Sequence, residues 1–267
     1  NHNPMRNTGH RLSLVIALCL LAAPVHASAL EDGETQIDTA EKLIAAIEAA
    51  AYGDVIQILP GITLEDVTIS TDKNILIVRD SSNENNMSKS LFIMRNASHI
   101  DGLRFSDECW GRGSIRITGV NTSITNCVFE GQAPDEDFMN EAIVVWRGAA
   151  THIDNCKFSA CNGHALQIED DAEVTIDNSI FSDNVMGVIA NVGVTEMNNC
   201  NVTGGESIEN YGVLTLNDCI LDGNSPWARV GSDVWCSDRG QIYINHSQIN
   251  NRAYYDRSTG ELLSLPF

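Results

Sequence analysis

Positive charge is what this chain has least of. It carries 16 Lys plus Arg, only four of them lysines, against 36 Asp plus Glu, for a formal net charge of −20. That balance excludes a nucleic-acid groove, which needs the opposite sign, and disfavours an anionic lipid surface. No Cys-x-x-Cys pair occurs, so the usual spacing of a zinc site is missing. Long apolar runs are also missing. The longest, LSLVIALCLLAA, is too short to span a bilayer, and no later one approaches that length. It follows Arg6 and Arg11 and precedes Ala27-Ser28-Ala29, the order of a secretory leader cut after Ala29. Met5 then marks the expected start, with residues 1–4 as extra sequence. Cleavage removes two Arg and no acid, leaving 14 basic against 36 acidic residues, a net charge of −22. A secreted or periplasmic protein with no membrane contact after cleavage is the expectation.

What the chain does have is a repeat. It reads HIDGLRF at 99–105, SITNCVF at 123–129, HIDNCKF at 152–158 and TIDNSIF at 175–181. Looser copies follow, EMNNCNV at 196–202, TLNDCIL at 215–221 and YINHSQI at 243–249. Aligned on Leu103, Cys127, Cys156, Ser179, Cys200, Cys219 and Ser247, the copies lie 24, 29, 23, 21, 19 and 28 residues apart. A period near twenty with variable insertions marks a solenoid whose strands are constant and whose loops are not. Within a repeat, Val174 and Ile176 alternate with polar neighbours as a half-buried strand does. The phase slips at Asp177-Asn178, so Ser179 and Phe181 become the next inward pair, across a two-residue bend. A third strand gives inward pairs Ile143/Val145, Leu166/Ile168, Val188/Ala190 and Val234/Cys236. Three strands per turn, each pairing with its counterpart one turn on, make a parallel β-helix of about 7–9 coils, with backbone groups satisfied between coils.

Asn126, Asn155, Asn178 and Asn199 stand at the bend because Asn tolerates left-handed backbone angles and its amide can bond the next Asn in the stack. Asp218 and His246 interrupt that ladder. Phe105, Phe129, Phe158 and Phe181 should stack inside at roughly 4.8 Å per coil. This pattern of Asn bends and stacked aromatics resembles the right-handed β-helix of the pectate-lyase-like superfamily over roughly residues 54–250. The resemblance implies an all-β, right-handed, single-stranded parallel β-helix and no particular activity.

The remaining segments follow from that frame. Residues 30–53 contain DTAEKLIAAIEAAAYGD, with Asp38 as expected N-cap, Glu41 three residues on, Leu43, Ile44 and Ile47 on one face, and Gly53 as the stop. Such an amphipathic helix would plug the open end of the solenoid. AYGDVIQILPG after it is similar to the start of several β-helix polysaccharide lyases. Residues 251–267, with Tyr254, Tyr255 and ELLSLPF, form a C-terminal cap or tail. Of eight cysteines, seven lie beyond the leader, an odd number. Cys127, Cys156, Cys200, Cys219 and Cys236 are expected as buried small hydrophobes. Cys109 and Cys161, in turns after Phe105 and Phe158, are the pair placed to form a disulfide.

Three sets of residues carry candidate chemistry. The third strand turns outward Val144/Trp146, Gln167/Glu169, Ile189/Asn191, Glu209/Tyr211 and Trp235/Ser237, so Trp146, Tyr211 and Trp235 would stack sugar rings, with Arg147 beside them. Glu169, Asp170 and Asp171 at the same strand end suit calcium, the one cofactor the sequence suggests, although Asp170 has an alternative partner in Arg147 one coil below. On the other outer strand Arg104, Val128 and Lys157 share a register, with Glu130 and Ser159 alongside. A polysaccharide lyase needs a base for the proton α to a uronate carboxylate and a cation to neutralise that carboxylate. Lys157, Arg104 and Glu130 are the catalytic candidates for that role.

Complete active-site motifs are absent. Polygalacturonase-like hydrolases carry Asn-Thr-Asp, Asp-Asp, Gly-His-Gly and Arg-x-Lys in that order. Here Gly163-His164 precedes Asp170-Asp171 and the other two are missing, as is the Arg-x-x-Pro of pectate lyases. FSDN at 181–184 matches the Phe-x-x-Asn of polymorphic outer-membrane proteins, but their Gly-Gly-Ala-Ile is only approximated. The sequence therefore favours a secreted β-helix with a carbohydrate-binding or surface-structural role, its partner a polysaccharide or cell-surface glycan. The alternative is a polysaccharide lyase or glycosidase acting on an acidic polysaccharide.

Overall fold

The computed structural model describes residues 37–249, apart from 60, 66, 80–85, 89, 107–113, 132–140, 162, 185–186, 205–207, 223–233 and 238, together with the backbone of 253–256 and 261–264. The leader expected at 1–29 and Cys109 lie outside the described residues. Among the described residues no helix is long and apolar enough to cross a membrane.

Three parallel sheets form the faces of the β-helix. Sheet A stacks nine strands from Val55–Ile58 to Gln241–Asn245, sheet B nine from Thr63–Glu65 to Gln248–Ile249, and sheet C eight from Thr68–Thr71 to Val234–Cys236. Each strand pairs in register with its equivalents one coil before and after, so like residues stack on like. From Asp101 onward the turn from sheet A to sheet B takes two residues, and its first residue is left-handed: φ is 54° at Asn126, 50° at Asn155, 51° at Asn178, 52° at Asn199 and Asp218, and 50° at His246. The expected amide ladder forms in two pieces. Asn155 Nδ2 donates to Asn126 Oδ1 at 2.6 Å and Asn199 Nδ2 to Asn178 Oδ1 at 2.9 Å. Asn178 and Asn126 turn instead to the carboxylates of Asp154 and Asp101, which accept more strongly than an amide.

The core runs the length of the solenoid. Phe105, Phe129, Phe158 and Phe181 stack face to face with centroids 4.9, 4.8 and 4.8 Å apart, and Phe92 closes the column edge-on at 5.5 Å. Strict register imposes this parallel stacking even though isolated ring pairs prefer an offset. Beside it runs a column of thiols and hydroxyls. Cys127, Cys156, Ser179, Cys200, Cys219 and Ser247 each donate back to the carbonyl two residues earlier, so Cys and Ser do the same local job there. Cys161 is a free buried thiol, so the pairing with Cys109 suggested by the sequence is not made. Burial pushes its pKa up to about 12.

Two sequence expectations are corrected. Helix α1 spans Ala40–Ala49, and its N-cap is Thr39, whose Oγ1 accepts from the Lys42 N–H at 3.3 Å. Asp38 instead pairs with Lys42 Nζ at 2.7 Å. Leu43 and Ile47 are buried against the first coil while Ile44 is exposed. Lys73 closes the other end of α1: its ammonium donates to the carbonyls of Ile47, Glu48 and Ala50 at 3.0, 2.6 and 2.8 Å, where the helix dipole favours a cation. The second correction is in sheet C. Leu166 pairs with Ile189 and Ile168 with Asn191, so Ile189 and Asn191 face inward where Val188 and Ala190 were expected. The fully buried Asn191 donates to Asn210 Oδ1 at 2.8 Å and Val213 O at 3.0 Å, and accepts from Thr195 Oγ1 at 2.9 Å. Each Asn begins an Asn-x-Gly corner. A Cβ on Gly193 would stand 2.4 Å from Ala172 O, and one on Gly212 2.1 Å from Gly193 O, so backbone-to-backbone contact requires glycine there.

Candidate functional site

The outer face of sheet B brings three charged residues together. Val128 pairs with Arg104 on one side and Lys157 on the other, which puts the two cations in one column, two coils apart. Glu130 lies two residues beyond Val128 on the middle strand, diagonal to both, within reach of long side chains. Its Oε2 accepts from Arg104 Nη2 at 2.6 Å and its Oε1 lies 3.5 Å from Lys157 Nζ. The shorter contact holds Glu130 on Arg104. The Lys157 side chain is 49% exposed, the more available of the two cations. The group carries one net positive charge on a strongly acidic chain, and flanking positions Ser106, Ser159 and Ser182 in the Glu130 column offer hydroxyls.

The aromatic residues lie elsewhere, on sheet C and the turn that follows it. Trp146 and Tyr211 are 37% and 38% exposed and stand three coils apart, roughly 14 Å. Trp235 faces outward in register with Glu209, yet it is only 6% exposed. Tyr211 packs edge-on against it with centroids 4.8 Å apart, and the Tyr211 hydroxyl donates to Glu209 Oε2 at 3.2 Å. The three-ring stacking platform expected from the sequence is thus corrected to two separated rings, with Trp235 closed off. Val144, outward by register, is likewise buried.

A family described as the right handed β-helix region matches residues 60–249. The chain belongs to the right-handed β-helix family. That membership sets the hand of the solenoid. No curated protein matches the chain. Among solved structures, an alginate lyase from Paenibacillus sp. is 14% identical, with 80% of this chain and 98% of that one covered and a TM-score of 0.47. A PL6 family alginate lyase is 13% identical, with 83% and 42% covered and a TM-score of 0.42, so this β-helix spans less than half of that chain.

The acids after sheet C do not assemble as expected for calcium. Glu169, Asp170 and Asp171 follow one another round a turn, with Asp171 left-handed at φ 58°. Asp170 faces Arg147 at 3.3 Å, the alternative the sequence allowed. Among the described residues no group of three or more His, Cys, Asp or Glu side chains converges where a metal ion could be held. Three consecutive carboxylates on a tight turn diverge, and calcium wants six to eight oxygens around one point. The donor set does not fit the ion. Sequence reasoning passed over two histidine contacts on the outer face of sheet A. His152 Nε2 lies 2.8 Å from Asp177 Oδ2, and His99 Nδ1 2.8 Å from Ser123 Oγ. The signal was present, since His99, Ser123, His152 and Thr175 share one register column. Burial lowers the His99 pKa, favouring the neutral ring.

Proposed function

We propose that this β-helix is an exported module that binds an acidic polysaccharide, such as a cell-surface glycan, across the outer face of sheet B. The observation that supports it is the ion-paired trio of Arg104, Glu130 and Lys157. A uronate carboxylate approaching the sheet replaces the longer Glu130 contact at Lys157, while Arg104 keeps Glu130 in place. The column of serines accepts and donates to sugar hydroxyls. Trp146 and Tyr211 lie on another face and do not extend this surface.

Binding is favoured over turnover by the pairing itself. Glu130 is already engaged by Arg104 at 2.6 Å, and Lys157 beside it is placed as a counter-charge. The lyase reading keeps one point in its favour: Glu130 is a carboxylate between two cations, the pieces an elimination α to a uronate requires. A single screen separates the two. The purified protein is run through affinity gels containing alginate, pectate, chondroitin or neutral glycans, while absorbance of unsaturated product is followed. Retardation by an acidic glycan, weakened about two- to fivefold by Lys157→Ala and without product, is expected. Product that disappears in Glu130→Gln would replace binding with lyase activity. No retardation by any acidic glycan would overturn both.

A further inference from the structure

The two ends of the solenoid are finished differently. At the N-terminal end α1 buries Leu43 and Ile47 against the first coil, and Ile37 bridges to Ile58 beside the first strand of sheet A. At the other end the last strand of sheet A, Gln241–Asn245, pairs with Val213–Asn217 on one side, and among the described residues nothing pairs with its outer edge. Its inward residues Ile242 and Ile244 are half-buried, whereas Leu214 and Leu216 one coil below are fully buried. The hairpin of residues 253–256 and 261–264 lies against the last strand of sheet C at this end, while the inward residues of sheet A stay partly open to solvent. An unpaired strand edge backed by apolar side chains is a template for another strand, and proteins that must avoid this place charge or proline on it. This strand has neither. In a chain with 36 acidic residues, Gln-Ile-Tyr-Ile-Asn is uncharged throughout.

We infer that this edge is the interface of a twofold dimer, its occupant a second copy of the same strand. The sequence reads nearly the same in both directions about Tyr243. Antiparallel pairing across a twofold axis at Tyr243 sets Ile242 opposite Ile244, Gln241 opposite Asn245, and Tyr243 opposite itself. Each copy then completes the other's core and hydrogen-bond edge, the self-complementarity an isologous contact requires.

Sedimentation or light scattering of the purified protein tests this, with circular dichroism confirming that each variant folds. The wild type is expected to be a dimer. Gln241→Glu with Asn245→Glu sets carboxylate against carboxylate twice across the axis and should raise the dissociation constant on the order of tenfold. Gln241→Lys with Asn245→Glu sets opposite charges at the same positions and should leave the dimer intact. Tyr243→Cys, oxidised with diamide, should give a covalent dimer. A monomeric wild type overturns the inference. So does a dimer that the double glutamate leaves untouched, or one that both charge pairs disrupt equally.

Discussion

Replacing Asn155 separates the two jobs its side chain does. Its backbone is held at φ 50°, its N–H donates to Asp177 O at 3.1 Å, and its amide donates to Asn126 Oδ1 at 2.6 Å. Alanine loses the amide bond, a net cost of about 0.5–1 kcal/mol for a solvent-exposed partner. It also pays about 1–2 kcal/mol for a Cβ in the left-handed region. Asn155→Ala should therefore destabilise by roughly 2 kcal/mol. Asn155→Gly loses the same amide bond but no conformational strain, and the looser unfolded chain adds about 0.5–1 kcal/mol. Glycine should thus end about 0.5–1 kcal/mol more stable than alanine at this site, although glycine is normally the worse residue in ordered structure. Urea unfolding of the three proteins, followed by circular dichroism, gives the order Asn, Gly, Ala. Alanine equal to or better than glycine would refute the argument that the bend selects Asn for its backbone angle.

Further expectations concern the core. Phe158 is stacked at 4.8 Å on both faces, so Phe158→Ala should cost about 3–5 kcal/mol and Phe158→Leu clearly less, read as shifts in the urea midpoint. Cys161 has its folded pKa raised to about 12 from an ordinary 9.0. Between those values the unfolded chain releases a proton that the folded one keeps, so stability falls as pH rises from about 9 towards 12, by up to about 1.4 kcal/mol per pH unit. Cys161→Ala should flatten that decline in thermal melts at pH 8.5–11, and an unchanged slope would mean the thiol is not held neutral.

Much of the architecture was legible because a parallel β-helix writes its register into side-chain types. The Asn bend recurs in four successive coils from Asn126 to Asn199 and the stacked Phe in four from Phe105 to Phe181, and only stacking places such residues together. Sheet C was harder. In Gly187-Val188-Ile189-Ala190 every residue is small or apolar, so alternation gives no phase, and the inward Asn191 violates the rule that polar residues face out. The signal that settles it is the repeated Asn-x-Gly at 191–193 and 210–212, where a buried amide satisfies corner carbonyls. At the candidate site, Arg104 and Lys157 follow from register alone. Which way Glu130 would lean does not, because a diagonal contact depends on rotamers. Trp235 shows the opposite limit: outward parity is legible, but coverage by Tyr211 depends on packing that parity does not encode.

The corners of the solenoid are unequal in what they tolerate. From Asp101 onward the bend from sheet A to sheet B keeps two residues, while the passage from sheet B to sheet C is short between Ser182 and Gly187 and long between Glu130 and Ile143. In those later coils, insertions at the B-to-C corner leave every stacked column untouched. The molecule is in effect a ruler with graduations roughly 4.8 Å apart and an editable margin. Foreign peptides grafted into successive B-to-C passages would be displayed in a row at fixed spacing, a multivalent scaffold whose geometry is set by the backbone rather than by the guests.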